Sequence, residues 1–591
     1  MKRSRRPPVN LRMRLNLLAA GLACCGALLV ARAADMQLLR ADFYQAKAEQ
    51  YHLRELPVPT SRGMITDRNG EPLAVSTPVA SLWANPKELS RYPERISELA
   101  VALGLDPAEL ARRVEERADR EFLFLRRQMN PDEAEAVLAL GIPGVHNRRE
   151  FRRFYPMGEI AAHVIGFTNV DDVGQEGLEL AFNDWLSGKP GSKRVVRDQK
   201  LRPIDVDLLS PAEPGRDLAL SIDRRLQHVA YRELRRALEE NRAASGSVVI
   251  TDVPTGEVLA MVNLPTYNPN TREGADASAR RNRALTDVFE PGSVIKVFTV
   301  AAALETGRWK PDTVIETSPG YMPLARHTIR DIRNFGTVSP TRLLTKSSNI
   351  AAVKLALDMP NEHFHDLLRR FGFGELTGVG FPGEQAGVLT APSGWGVLEK
   401  ATISYGYGLS TNALQIAQAY AAIGNGGVWM PPTFVRGGAG EGRSVIDPQL
   451  ARTLLDMLET VTGPEGSATR ARVSGYRVAG KTGTSRRSVP GGYEKRYISM
   501  FAGLVPASNP RLSMVVVIND PDPQQHFGGL VAAPVFGHVM ADALRILDVP
   551  PDDIQQWYVS TPIQATPLPP GELPPEAEGA IEPMPDAGVI Q

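Results

Sequence analysis

Three short stretches of this chain carry residues whose types and spacing suit nucleophilic chemistry. The first is Glu290-Pro291-Gly292-Ser293-Val294-Ile295-Lys296. Pro-Gly marks a turn, residues 294–304 are apolar and alanine-rich, and Gly307 follows as a C-terminal cap. Ser293 is therefore expected to open a buried helix, with Lys296 three residues later on the same face. A serine hydroxyl is a poor nucleophile until a base takes its proton. A lysine one turn away can take it if burial and neighbouring cations hold a fraction of it neutral. The helix N-terminus would add oriented N–H groups near any oxyanion that forms. Alone, Ser-x-x-Lys reads more readily as a helix cap followed by a surface lysine. Two further stretches change that reading. Lys346-Ser347-Ser348-Asn349 supplies a second serine with an amide two positions on, and Lys481-Thr482-Gly483-Thr484 supplies a cation, two hydroxyls and a glycine through which a ligand can approach the backbone. Three such elements in one order are hard to obtain by accident.

These segments lie far apart in the chain, so the surrounding elements must bring them together. Residues 223–241 have the spacing of an amphipathic helix, and 247–252 and 257–263 alternate around Pro254-Thr255-Gly256 as a β-hairpin. The Ser293 helix follows, then a helix near 350–357 whose start carries Ser347 and Asn349, then a small-residue helix over 411–424. Segments 477–485, 497–505 and 512–519 read as strands. Two strands, a run of helices and three more strands imply an α+β domain over 216–549, in which distant segments share one antiparallel sheet flanked by helices. Lys481 would sit on one of those strands, beside the Ser293 helix.

Upstream, behind a linker at 211–216, residues 35–215 read as a separate elongated module. A helix is expected over 35–51, a tight Asn69-Gly70 hairpin within 62–74, and helices over 89–103, 107–117 and 131–140. Two Gly-punctuated stretches, 153–166 and 174–188, precede an extended segment over 194–205. Nothing in this module looks catalytic, and His163, set among small apolar residues, reads as a structural histidine.

Net charge is zero, so no global field points to a nucleic-acid partner. The N-terminus differs: Lys2, Arg3, Arg5, Arg6, Arg12 and Arg14 precede an apolar run from Leu15 to Ala31. Those 17 residues would span roughly 25 Å as a helix. We expect a cytoplasmic basic tail over 1–14 and a transmembrane signal anchor over 15–34. Ala31-Arg32-Ala33 also offers a cleavage pattern, but the length of the run favours an uncleaved anchor. Both cysteines, Cys24 and Cys25, fall inside this segment, which leaves the exported part without disulfides or thiol chemistry. Residues 550–591 are rich in Pro, Glu and Ala without periodicity and read as a disordered tail. His363 and His365 point apart on a helix, and no metal, nucleotide or other cofactor is expected.

The order Ser-x-x-Lys, Ser-x-Asn, Lys-Thr-Gly resembles the motif set of penicillin-recognising serine enzymes. With RGMITDRNGEPLA, RRFYPMGEIAAHVIG and GQEGLELAFNDWL upstream, the chain resembles the class B penicillin-binding proteins, monofunctional peptidoglycan transpeptidases, from the anchor to about residue 547. The run GGYEKRYISMFAGLVPASNPRLSMVVVIND is more similar to their septal, division-specific members than to the elongation-specific ones. The resemblance implies a penicillin-binding transpeptidase fold behind a noncatalytic pedestal of the class B dimerisation type.

It also implies roles. Ser293 would attack the penultimate D-alanyl carbonyl of a stem pentapeptide ending in D-Ala-D-Ala, with Lys296 as base. Ser347 would relay a proton to the leaving amine, and Asn349 would bond the substrate amide and hold Lys296. Lys481, Thr482 and Thr484 would bind the terminal carboxylate beside Gly483, and the backbone N–H groups of Ser293 and Thr484 would form the oxyanion hole. Tyr405, Tyr407 and Phe527 are expected to line the cleft. His526 stands where close relatives carry an aromatic, and the turn at 198–201 lacks an expected glycine. Implied partners are β-lactams, a membrane glycan polymerase of the SEDS type, other division proteins and the inner membrane. The implied location is the division septum, with a single pass, a cytoplasmic N-terminus and a periplasmic catalytic domain.

Four rival functions use related chemistry. A serine β-lactamase needs an added base for deacylation, and no such glutamate loop is placed here. A D,D-carboxypeptidase differs only in what reaches the acyl-enzyme. A β-lactam sensor carries several membrane spans, and only one is visible. An elongation-type transpeptidase would differ in partners and in where it accumulates.

Overall fold

The hydrophobic strand Ser245–Asp252 is buried along almost its whole length, because helices cover both faces of the sheet it belongs to. In the computed structural model, which describes residues 11–40, 43, 53–197, 203–271, 276–489 and 491–553, this sheet has five antiparallel strands. Their order is Val258–Leu264, Ser245–Asp252, Leu512–Asn519, Gly492–Val505, Ala479–Val489. The hairpin and the three late strands expected from the sequence thus share one sheet, with Lys481 on its edge strand.

Register assigns the faces. Gly246, Val248, Val516 and Phe501 lie on one face, where a Cβ at Gly246 would meet Leu234 and Leu238 of the helix Arg224–Glu240, and Phe501 packs edge-on to Phe536 of the helix Gly528–Ile546. Ser513, Val515, Ala502 and Lys481 lie on the other, where Ser513 Oγ donates to the Ala417 carbonyl of the helix Ala413–Gly424. Two of these helices start at side-chain caps. Asp223 accepts from Arg225 N, and Asn412 forms a capping box with Gln415.

The chain separates into two units, one of residues 1–61 and 188–214 and one of 62–187 and 215–591. The first holds the helix Leu11–Ala34 and a three-stranded antiparallel sheet, Leu53–Val58, Gly191–Arg197, Pro203–Ser210. Beyond a π-helical turn at Asp35–Leu39, the helix expected to continue to 51 lies largely outside the described residues, as do the turn at 198–201, residues 1–10 of the basic tail, and the tail beyond 553. Two described helices are long and apolar enough to cross a membrane. The one over Arg12–Leu38 buries none of its apolar window, whereas Gly528–Ile546 is 61% buried as a core helix. Cys24 and Cys25 are free and exposed on the first.

Upstream of the five-stranded sheet, the second unit builds a core on the long strand Pro72–Ala84. That strand pairs with Val145–Phe154 and Leu123–Met129, and its start pairs with Ile65–Thr66 around the expected Asn69-Gly70 turn. The helix expected over 89–103 is two helices, Pro86–Leu89 and Pro93–Leu103, because Pro93 opens a new first turn rather than extending the old one. The same unit holds a buried ionic network. Glu179, fully buried, accepts at 2.6 Å from Arg62 Nε on one oxygen and at 2.6 Å from Arg153 Nε on the other. His163 is also buried, its Nε2–H donating to the Ala279 carbonyl at 2.7 Å.

Candidate active site

Ser293 lies on a single 3-10 turn, Gly292–Ile295, that runs into the helix Lys296–Glu305. The expected helix therefore begins three residues after the serine, and the tighter turn presents Ser293, partly exposed, ahead of a fully buried Lys296. Four bonds fasten this turn. Gly292 N donates to Gly406 O at 3.0 Å, Tyr420 Oη to Val294 O at 2.8 Å, Ser485 Oγ to Glu290 O at 2.8 Å, and Gly408 N to Glu290 Oε1 at 2.8 Å. Tyr420 is completely buried, so losing its hydroxyl would strand the Val294 carbonyl at a cost of about 1–3 kcal/mol.

The glycines explain how close the segments lie. Gly292 has φ +53°, and a Cβ there would stand 3.1 Å from the Thr484 carbonyl. A Cβ at Gly483 would stand 2.9 Å from Val294 and 2.5 Å from Met500. Within the chain, what approaches Gly483 is thus the Ser293 turn and the neighbouring strand.

Ser347 ends the helix Pro340–Lys346 in the left-handed region, φ +62°, a conformation that costs a non-glycine residue roughly 1–3 kcal/mol and that clusters at functional sites. It places the serine between the two lysines. Lys296 Nζ donates to Ser347 O at 2.5 Å, Ser347 Oγ at 3.1 Å and Asn349 Oδ1 at 2.7 Å. Lys481 Nζ, also fully buried, donates to the same Ser347 Oγ at 3.1 Å, and to Thr482 O and Oγ1 at 3.1 and 3.2 Å. Two ammonium groups converging on one hydroxyl repel each other, and loss of one proton relieves that repulsion.

Strand alternation turns Thr482 and Thr484 to the other face from Lys481. Thr482 Oγ1 also shares a hydrogen bond with Ser467 Oγ, and Thr484 Oγ1 accepts from Gly528 N at 3.1 Å. Ser293, Lys296, Ser347, Asn349, Lys481, Thr482, Gly483 and Thr484 are therefore one constellation. The three aromatic candidates pack against other side chains. Tyr405 is 5% exposed and packs on Ile329, Ile350 and Val353. Tyr407 lies between Tyr405 and Tyr493, with Arg486 N donating to its oxygen, and burial pushes its phenol up to about 12. Phe527 is 6% exposed and precedes the Gly528 helix. His526 stacks on Tyr497 at 3.7 Å between centroids and tilts against Phe527 at 4.2 Å, so an imidazole completes that row of rings.

Two acids were not found from sequence. Glu290 accepts from Tyr493 Oη at 3.1 Å as well as from Gly408 N, and burial raises its carboxyl. Its place directly before Pro291-Gly292 was the available signal. Asp331, 7% exposed, bonds the segment that carries Asn349, and nothing in its local sequence marks it.

Comparison with known proteins agrees with this geometry. The family pattern of the penicillin binding protein transpeptidase domain matches residues 246–541, and that of the penicillin-binding protein dimerisation domain matches 57–220. The chain is 43% identical over 539 residues to a probable peptidoglycan D,D-transpeptidase, PbpC, of Pseudomonas aeruginosa, covering 91% of this chain and 94% of that one. It is 43% identical over 546 residues to the peptidoglycan D,D-transpeptidase FtsI of Escherichia coli K12, covering 91% and 92%. Among solved structures, the transpeptidase domain of penicillin-binding protein 3 from Burkholderia pseudomallei is 42% identical, with a TM-score of 0.52 over 56% of this chain and 97% of that one. A peptidoglycan synthetase from Bifidobacterium adolescentis is 26% identical, with a TM-score of 0.68 over 86% and 98%.

Proposed function

The chain belongs to the class B penicillin-binding proteins and is a peptidoglycan D,D-transpeptidase of the serine acyltransferase type, and from that premise we propose which of its atoms carry the reaction. Ser293 Oγ attacks the penultimate D-alanyl carbonyl of a stem pentapeptide as Lys296 Nζ takes its proton. The peptide bond to the terminal D-alanine breaks, Ser347 Oγ passes a proton to the departing amine, and D-alanine leaves. An amine of a neighbouring stem peptide then attacks the Ser293 ester, which forms the cross-link and frees the hydroxyl. Asn349 keeps Lys296 aimed, and Lys481 attracts the terminal carboxylate, with Thr482, Gly483 and Thr484 on its strand. The backbone N–H groups of Ser293 and Thr484 receive the oxyanion. Tyr405, Tyr407 and Phe527 support the cleft walls.

The observation that carries this reading is the meeting of three distant segments at Ser347 Oγ, 3.1 Å from each lysine. A penicillin enters the same path: its strained amide acylates Ser293 and, with no leaving group departing, adds its whole mass. Intact mass after mixing with a penicillin, for wild type and Ser293→Ala, tests it. A stable adduct on wild type alone is expected. No adduct on a folded wild type sinks the assignment of Ser293.

The reading extends to the setting. The apolar helix Leu11–Ala34 anchors the chain in the inner membrane, the basic tail stays in the cytoplasm, and the catalytic domain faces the periplasm at the division septum. There it meets a SEDS-type glycan polymerase and other division proteins. The domains run 1–14, 15–34, 35–215, 216–549 and 550–591 as tail, anchor, pedestal, transpeptidase and terminal tail. A fluorescent fusion that stays along the side wall in dividing cells would overturn the septal part.

A further inference from the structure

The amide of Asn349 has two ends of similar shape, and only one suits Lys296. Its Oδ1 accepts from the ammonium at 2.7 Å, while its Nδ2 donates to the Arg330 carbonyl at 2.9 Å. A flipped amide would face N–H toward an ammonium and oxygen toward a carbonyl, two repulsive contacts in place of two bonds. The next residue, Asp331, grips the same segment. Its Oδ1 accepts from Asn349 N at 2.5 Å and from Ile350 N at 3.1 Å, and its Oδ2 accepts from Ser348 Oγ at 2.6 Å. Ser348 Oγ in turn accepts from Ala351 N and caps the helix Asn349–Leu357. Arg330 and Asp331 close the small hairpin Tyr321–Leu324/His327–Arg330, and Asp331 N is tied to Gly320 O at 3.0 Å.

We propose that Asp331 is a positioning residue for the acyl transfer: its carboxylate, together with the Arg330 carbonyl, locks Asn349 in the one orientation that presents Oδ1 to Lys296. Two features separate this from ordinary helix capping. The helix already has a cap in Ser348, and the hairpin is fastened to it independently by Ile329 against Ile350, Val353 and Tyr405. The bonds of Asp331 fall on Ser348, Asn349 and Ile350, the segment directly after the strained Ser347. Asp331 also lies within electrostatic reach of Lys296, and burial raises its carboxyl against that attraction and its own hydrogen bonds. Removing its grip lets the segment turn, and Lys296 loses a fixed partner while Ser293 stays in place.

This inference rests on the acylation assigned to Ser293, and the experiment keeps the two apart. Penicillin acylation is followed by rapid mixing over a range of concentrations, which separates the dissociation constant of the first complex from the acylation rate constant. The proteins are wild type, D331A, D331N, Asp331→Ser and D447A. Asp447 caps the helix Pro448–Thr462 and serves as a control for lost capping alone. D331A is expected to acylate about 10–100-fold more slowly with the first complex little changed. D331N should recover most of the rate, because its Oδ1 accepts the same two N–H groups and its Nδ2 donates to Ser348. D447A should melt earlier and acylate at the wild-type rate. Asp331→Ser keeps one acceptor and carries the test if D331A does not fold, with an intermediate rate expected. Folded D331A or Asp331→Ser reacting at the wild-type rate overturns the proposal, as does D331N no faster than D331A. Wild type that takes up no penicillin overturns the acylation itself.

Discussion

Two clusters of buried charge lie in this molecule, and they are built in opposite ways. In the upstream module Glu179 sits between Arg62 and Arg153, each of the three side chains at most 1% exposed, so opposite charges meet with directed bonds on both carboxylate oxygens. In the cleft, Lys296 and Lys481 carry like charges and converge on Ser347 Oγ, with neutral oxygens of Ser347, Asn349 and Thr482 around them. A neutral acceptor holds a cation less firmly than a carboxylate does. The first arrangement locks a shape. The second is relieved when a proton leaves, which suits the base proposed for Ser293. Burial is common to both, and the sign and character of the neighbours decide between scaffold and chemistry.

Substitutions can separate the two. Ser347→Ala removes the hydroxyl shared by the lysines and should slow penicillin acylation about 10²–10⁴-fold, with the melting temperature little changed. Glu179→Gln should do the reverse. Breaking a buried pair costs roughly 3–5 kcal/mol, read by denaturant unfolding, while the protein that remains folded acylates normally. If Glu179→Gln instead slows acylation at unchanged stability, the contrast between scaffold and chemistry collapses.

His163 sharpens the comparison through pH. Burial holds its imidazole down to about 4, below its ordinary 6.5, so the folded state keeps it neutral while the unfolded chain protonates. Its contribution is complete above about pH 6.5 and is lost as pH falls toward 4, at most about 3 kcal/mol. His163→Gln should flatten the acid limb of stability measured across that window. An unchanged limb would assign acid sensitivity to the carboxylates. Gly483→Ala presses a methyl group between Val294 and Met500 and should cost about 1–3 kcal/mol while slowing acylation, which links packing to chemistry at one residue. The smallest effect belongs to the exposed Arg112–Glu116 pair, where Glu116→Gln should change stability by no more than about 0.5 kcal/mol. A larger loss there would undo the distinction drawn from burial.

Much of this was legible in the chain. The motifs that carry Ser293, Lys296, Ser347, Asn349 and Lys481 are short and local, so residue type and spacing singled these residues out, and the structure brings the last four together. Two upstream helices start at Pro107 and Pro131 as expected, because a proline settles a helix start within a few residues. The break at Pro93 was missed where apolar spacing ran through a proline that starts a new helix. Gly483 was marked as a place of close approach without its neighbours Val294 and Met500, since a glycine's sequence position says that something comes close and not what. Asp331 was invisible: it sits 18 positions before Asn349, and its bonds exist only once the hairpin folds back.

By itself, then, the amino-acid order determined the chemistry on offer, the antiparallel α+β pattern and an apolar N-terminal helix, because these rest on residue type and short-range periodicity. Tertiary structure decided which face of the edge strand carries Lys481, which serine lies between the lysines and which acid steadies Asn349. Those depend on register between strands and on contacts between residues from 18 to 134 positions apart, where the closing of loops, rather than local preference, sets which groups meet.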